Sequence, residues 1–175
     1  MNLNVEKILI IGLGMIGGSI AMASKSKGIK VVGFDAEIDS LKNAVNKEII
    51  DESINSLEEI NSKEYIKDID LVVLAVPPKQ TLEVLNNIKE IWNTDTTITD
   101  TSSVKNHIKL KNVSNIILSH PIAGSDQSGL SAADPNLFND KKNVLCNPFD
   151  CPKEHLDKVD NFWKNALQMR TSLMT

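Results

Sequence analysis

The chain has 175 residues, a formal net charge of −4, and 41% hydrophobic against 24% charged residues. That is enough for one domain with its own core, and a mildly acidic chain with no basic stripe is not built as a nucleic-acid surface. No run nears the roughly 20 apolar residues a membrane span needs, and two cysteines, Cys146 and Cys151, make neither a disulfide framework nor a zinc pattern, which suits a reducing cytoplasm.

In chain order, the N-terminal segment lacks a basic start and a small-residue cleavage site, so its apolar run reads as a strand and not as a signal peptide. That run, Lys7 to Ile11, is continuous and predicts a strand buried on both faces. Met15 to Lys27 predicts a helix with Ile16, Ile20 and Ala23 inward, stopped by Gly28. Lys30 to Phe34 predicts a second strand, and Ser40 to Lys47 a short helix with Leu41, Ala44 and Val45 inward. Residues 48 to 68 are polar and weakly patterned, room for a weak strand and a short helix. Leu71 to Val76 is the clearest strand, ended by Pro77 and Pro78; Thr81 to Trp92 follows as an amphipathic helix. Thr96 to Thr99 predicts a strand, Val104 to Leu110 a short helix, and Ile116 to Leu118 a strand running into His120-Pro121. Residues 121 to 140 read as a long functional loop, and His107 and His155 as solvated surface histidines. Asn143 to Cys146 then predicts a strand, Lys153 to Leu167 a helix after Pro152, and Gln168 to Leu173 a last strand.

Strands alternating with helices of about a dozen residues imply right-handed βαβ units. The expected fold class is therefore α/β, a Rossmann-type doubly wound, mainly parallel sheet with helices on both faces, filling residues 1–175 as one domain. Gly12-Leu13-Gly14-Met15-Ile16-Gly17 is a G-x-G-x-x-G placed between a strand and a helix. In that context Gly12 makes the tight turn, Gly14 lets the backbone approach a pyrophosphate, and Gly17 lets helix pack on strand. The backbone amides at Met15 and Ile16 then face the phosphates at the helix N-terminus. Asp35 lies 18 residues beyond Gly17, at the end of the second strand, where a carboxylate bonds the ribose 2′-hydroxyl and repels a 2′-phosphate. The chain's single arginine, Arg170, is far from that position in sequence, so NAD is expected over NADP. The alternative for Asp35 is a solvated turn residue.

Ser103 and His120 each follow a predicted strand, at the carboxyl edge where open parallel sheets bind ligands. Histidine accepts a proton near neutral pH, as an alcohol oxidation requires, and a serine can orient it. Spacing alone leaves His120 open between that role and a structural histidine before proline.

Gly-Leu-Gly-Met-Ile-Gly-Gly-Ser at 12–19, Asp-Thr-Ser-Ser-Val-Lys at 100–105 and His-Pro-Ile-Ala-Gly-Ser at 120–125 occur in that order, followed by Ser128-Gly129 and Asn136-Leu137-Phe138. Together they resemble the prephenate/arogenate dehydrogenase family of tyrosine biosynthesis, over nearly the whole chain. The resemblance implies oxidation of the ring 4-hydroxyl of prephenate or arogenate by NAD with loss of carbon dioxide, giving 4-hydroxyphenylpyruvate or tyrosine. Carried over by motif, His120 takes the hydroxyl proton and Ser103 is its partner. Ser125 stands near the substrate where the family often has threonine, with Asp126 and Gln127 beside it, either touching substrate or capping the turn. Val76 and Pro77 resemble the loop on the nicotinamide side, with Thr81 and Ser102 as further cofactor contacts. Lys105 stays open between the ligand edge and solvent. The family also implies a homodimer and a following helical domain that supplies a basic residue for the substrate carboxylate; the present chain ends about where that domain would begin, so little or no turnover is expected of it alone. Two other readings remain: the cofactor domain of another NAD-dependent hydroxyacid dehydrogenase, or a non-catalytic NAD-sensing module. No metal site is expected, and Cys146 and Cys151 read as free thiols.

Overall fold

Eight strands form one sheet in the order β3-β2-β1-β4-β5-β6-β7-β8. The structure is a computed structural model that describes residues 5–61, 66–105, 108–124 and 126–174. The strands are β1 (Lys7–Ile11), β2 (Lys30–Phe34), β3 (Glu52–Ser53), β4 (Leu71–Leu74), β5 (Thr97–Asp100), β6 (Ile116–Ile122), β7 (Lys142–Cys146) and β8 (Arg170–Met174). β1 to β6 are mutually parallel, β7 runs antiparallel to β6, and β8 runs parallel to β7. The first six strands thus have the doubly wound order, with the chain reversing its direction of travel across the sheet between β1 and β4.

The strands alternate in which face they feed. Ile8 and Ile10 of β1 enter one core, with Val31, Val73 and Ile117; Leu9 and Ile11 enter the other, with Val32, Val72 and Leu118. Helices α1 (Met15–Ser26) and α4 (Lys153–Asn161) cover the first face, and α3 (Pro78–Asn87) covers the second. Between α1 and α3 in sequence lies α2 (Ile38–Asn46), which buries only Ala44 and leaves Val45 45% exposed, so the expected inward Val45 is corrected. The helix expected at 81–92 begins earlier: Pro78 occupies the first turn, where a missing N–H costs nothing, and the helix gives way to a 3₁₀ turn at Lys89–Ile91. No helix is seen among the described residues of 104–110, while His107 and its neighbour Asn106 lie outside them.

After α4 the chain makes a π turn, Phe162–Ala166, that puts Phe162, Trp163 and Ala166 all in the core. Trp163 meets Phe138 and Phe162 edge-on, with centroids 6.0 and 5.6 Å away. Aromatic burial of this kind is worth about 3 kcal/mol per ring, and it fastens the far end of the 121–140 segment to the sheet. His155, expected at the surface, is 5% exposed, because α4 turns it onto β5, where its Nδ1 shares a 2.7 Å hydrogen bond with Thr97 Oγ1.

Among the described residues no helix is long and apolar enough to cross a membrane, no group of three or more ligating side chains is placed to hold a metal, and Cys146 and Cys151 are unpaired.

Candidate functional site

A cleft of about 910 Å³ runs along the carboxyl ends of the parallel strands. Its floor is the glycine turn between β1 and α1. Gly12 holds φ +97°, and a side chain there would stand 2.6 Å from the Ala75 carbonyl oxygen, so only glycine fits. A Cβ on Gly17 would lie 1.8 Å from Gly12 O; the missing side chain is what lets α1 begin against the strand turn. Gly14 has open space where its Cβ would be, and it lines the cleft together with Met15 and Ile16. No side chain caps α1 and its first turn holds no acid, and the N-terminal end of the helix lies at the cleft. A pyrophosphate suits that donor set.

Asp35 lines the same cleft just beyond β2. Its Oδ2 accepts a hydrogen bond from Leu13 N at 2.6 Å and its Oδ1 one from Glu37 N at 2.8 Å. The carboxylate therefore braces the glycine turn while lining the cleft. Glu37 also lines this end of the cleft, and Arg170 is on β8, donating to the Asp140 carbonyl oxygen. The ribose end thus shows carboxylates and no arginine.

Ser103 and His120 line the opposite end, with Val76, Pro77, Ser102 and Gln127. His120 is not beyond its strand, as expected, but within β6, opposite Val144 of β7. β5 pairs with β6 only at Ile116 and Ile117, so His120, Pro121 and Ile122 are paired on the β7 side alone. A proline, which has no N–H for a ladder, is tolerated in such a one-sided stretch.

Beneath His120 is a buried polar network centred on Asp100; Ser102, expected as a cofactor contact, lines the cleft but turns its hydroxyl onto that carboxylate. Asp100 is 1% exposed. Its carboxylate accepts from Ser119 N at 3.0 Å, Ser102 Oγ at 2.6 Å and Lys105 Nζ at 2.6 Å. Lys105 also donates to Ser119 O at 2.5 Å, and Trp163 Nε1 donates to Ser119 Oγ at 3.1 Å. Ser119 is thereby held at its N–H, its carbonyl and its hydroxyl, and it is the residue before His120. Burial pulls the Lys105 ammonium below its usual range, opposed chiefly by the Asp100 charge. The open question about Lys105 resolves toward an internal ion pair. Asp100 and Lys105 both stood in the recognised motif; what was missing was any sign in the sequence that their side chains point at each other.

The remaining expected contacts separate. Thr81 is 1% exposed and does not reach the cleft: with the helix starting at Pro78, it falls on the inward stripe with Val84, Leu85 and Ile88. Gln80 and Glu83, which no sequence signal marked, line the cleft in its place. Asp126 is exposed and is not among the lining residues, and Ser125 lies outside the described residues.

Residues 20–168 match the family described as "Prephenate dehydrogenase, nucleotide-binding domain". Prephenate dehydrogenase of Lactococcus lactis subsp. cremoris is 38% identical over 156 residues, 81% of this chain and 41% of that protein. Prephenate dehydrogenase of Bacillus subtilis is 30% identical over 175 residues, 95% of this chain and 46% of that protein. Among solved structures, prephenate dehydrogenase from A. aeolicus in complex with hydroxyphenyl propionate and NAD+ superposes with a TM-score of 0.88 at 29% identity, covering 100% of this chain and 62% of that one. Arogenate dehydrogenase from Synechocystis superposes at 0.83 with 25% identity, over 97% of this chain and 59% of that one. The chain therefore spans less than half of these two curated relatives. With the glycine turn, Asp35, Ser103 and His120 on one cleft and the family match over most of its length, this chain belongs to the family of prephenate dehydrogenase nucleotide-binding domains.

Proposed function

We propose that this chain is the NAD-binding domain of a dehydrogenase that oxidatively decarboxylates prephenate or arogenate, and that further residues outside it complete the substrate pocket. The observation that carries the reading is the continuity of the cleft: one cavity joins Asp35 and the glycine turn to Ser103 and His120. Bound NAD would supply the hydride acceptor. The rest falls to the chain's own groups. The α1 N-terminus takes the pyrophosphate, Asp35 takes the ribose hydroxyls and disfavours a 2′-phosphate, and Val76 and Pro77 line the way to the reactive end. There His120 accepts the proton of the ring hydroxyl, and Ser103 bonds the same oxygen and aligns it. Loss of carbon dioxide is driven by the aromaticity the ring gains, so the protein's task is alignment and a base. Ser125, Asp126 and Gln127 stand in this reading as the substrate-side segment, and a homodimer of the whole protein in the cytoplasm, where Cys146 and Cys151 stay reduced, accompanies it.

The test is NADH formation with prephenate and with arogenate in the protein that carries this chain. His120→Asn should lower kcat by about 10² to 10⁴ while leaving the KM for NAD nearly unchanged. A wild-type protein inert toward both substrates, or a His120→Asn variant with full kcat, would contradict the assignment.

A further inference from the structure

Two parts of the recognised motifs have no role in the chemistry above: the second glycine and the serine of Gly17-Gly18-Ser19, and the segment from Ser128 to Phe138. The structure brings them together. Gly18 sits in the interior of α1, where glycine weakens a helix relative to alanine. Gly17 is explained by the Gly12 carbonyl; Gly18 is not. A Cβ on Gly18 would stand 2.6 Å from Leu130 Cδ1 and 2.9 Å from Ala133 Cβ. The leucine tip could rotate away, but the Ala133 Cβ rides on the backbone, so the whole segment would have to lift. Ser19, one residue on and fully buried, donates to Met15 O at 2.7 Å and accepts from Asp134 N at 2.9 Å. A chain of hydrogen bonds therefore runs from the first residue of α1 to the 130s segment. Immediately before Leu130 the backbone turns through Gly129 at φ +82°, and Gln127, Ser128 and Gly129 form a wall of the cleft.

We propose that Gly18 and Ser19 are positioning residues: they seat the Leu130–Asp134 segment on α1 and so hold the Gln127–Gly129 wall at a fixed place relative to the glycine turn. The link to the nicotinamide end rests on the NAD reading given above; the seating itself does not. A cofactor gripped by the α1 N-terminus and a wall mounted on the same helix share one rigid support, so the reactive end of the cleft stays in register with the phosphates.

The test uses Gly18→Ala and Ser19→Ala in this 175-residue protein. Without any ligand, hydrogen exchange at residues 130–138 should quicken about fivefold or more in both variants, while β1 and β4 keep their protection. Ala133→Gly added to Gly18→Ala removes the backbone-borne clash and should restore slow exchange. With ligand, ADP-ribose reports the phosphate and ribose contacts and should bind each variant within about twofold of the parent, whereas the rise in nicotinamide emission on NADH binding should drop by at least about half, because positioning is lost and binding is not. Unchanged exchange in the 130s would overturn the seating, as would faster exchange throughout the chain, which marks general loosening. A loosened segment with full NADH emission would overturn its link to the cleft. If the parent protein binds neither ADP-ribose nor NADH, the cofactor reading fails, and the ligand-free exchange still decides the seating.

Discussion

Spacing after the glycine turn marks Asp35 as a candidate ribose acid, and the structure adds that the same carboxylate holds Leu13 N and Glu37 N. No sequence pattern announces that bracing, because a backbone donor is the same at every residue. Gly12 and Gly17 are more legible, since each answers a steric requirement that only one residue type meets. Gly17→Ala should destabilise the fold by about 3 kcal/mol or more, because the clash is with backbone and no side chain can yield. Urea unfolding measures it; a loss below 1 kcal/mol, a bound set by the same overpacking range, would show that α1 can shift freely away from β1. Thr81 illustrates the opposite failure. The resemblance implies a cofactor contact there, but a helix that starts at Pro78 turns the Thr81 hydroxyl inward, away from the cleft.

At the scale of elements, the end of β5 and the middle of β6 are tied together beneath His120. Asp100 ends β5, Ser119 lies within β6, and Lys105 bridges them from the connecting loop. Lys105→Met should cost about 3 kcal/mol, since it strands a carboxylate that is 1% exposed. Adding Asp100→Asn should recover part of that loss, and denaturant melts of the single and double variants check both. The strand itself was foreseeable from its apolar run, but its extension through His120-Pro121 was not, because proline reads as a strand end unless the one-sided pairing with β7 is known. The other end of β5 predicts a pH effect. Burial, joined by Lys158, holds His155 below its ordinary value near 6.5, against opposing Glu154 and Asp95. A base depressed in the folded state is neutral there and takes its proton more readily unfolded. Its stability contribution is thus complete above about pH 6.5 and is lost as the pH falls through that value toward the lower folded one. Tm should fall between pH 7.5 and 5.5, a window around the ordinary histidine value of about 6.5, and His155→Gln should fall less over that range. An equal fall in both proteins would show that other groups set the acid response. His155 was misread because a lone histidine in a helix's first turn looks the same in sequence whether the helix faces solvent or a threonine of the sheet.

For the whole molecule, the alternation of strand and helix sufficed to anticipate the doubly wound sheet, and the continuous apolar run of β1 marked a strand buried on both faces. What the pattern did not carry was the direction of β7, since a five-residue strand reads alike in either sense. That reversal matters to the site, because the β6–β7 pairing is what holds His120 at the cleft. That this chain grips NAD between the α1 N-terminus and Asp35 is checked by calorimetric titration of the 175-residue protein with NAD and NADP, beside Asp35→Asn. Asparagine keeps an oxygen for Leu13 N and removes the charge. The parent protein should bind NAD at least about tenfold more tightly than NADP, and Asp35→Asn should close most of that gap while remaining folded. Equal binding of both cofactors by the parent, or a preference untouched in Asp35→Asn, would contradict it.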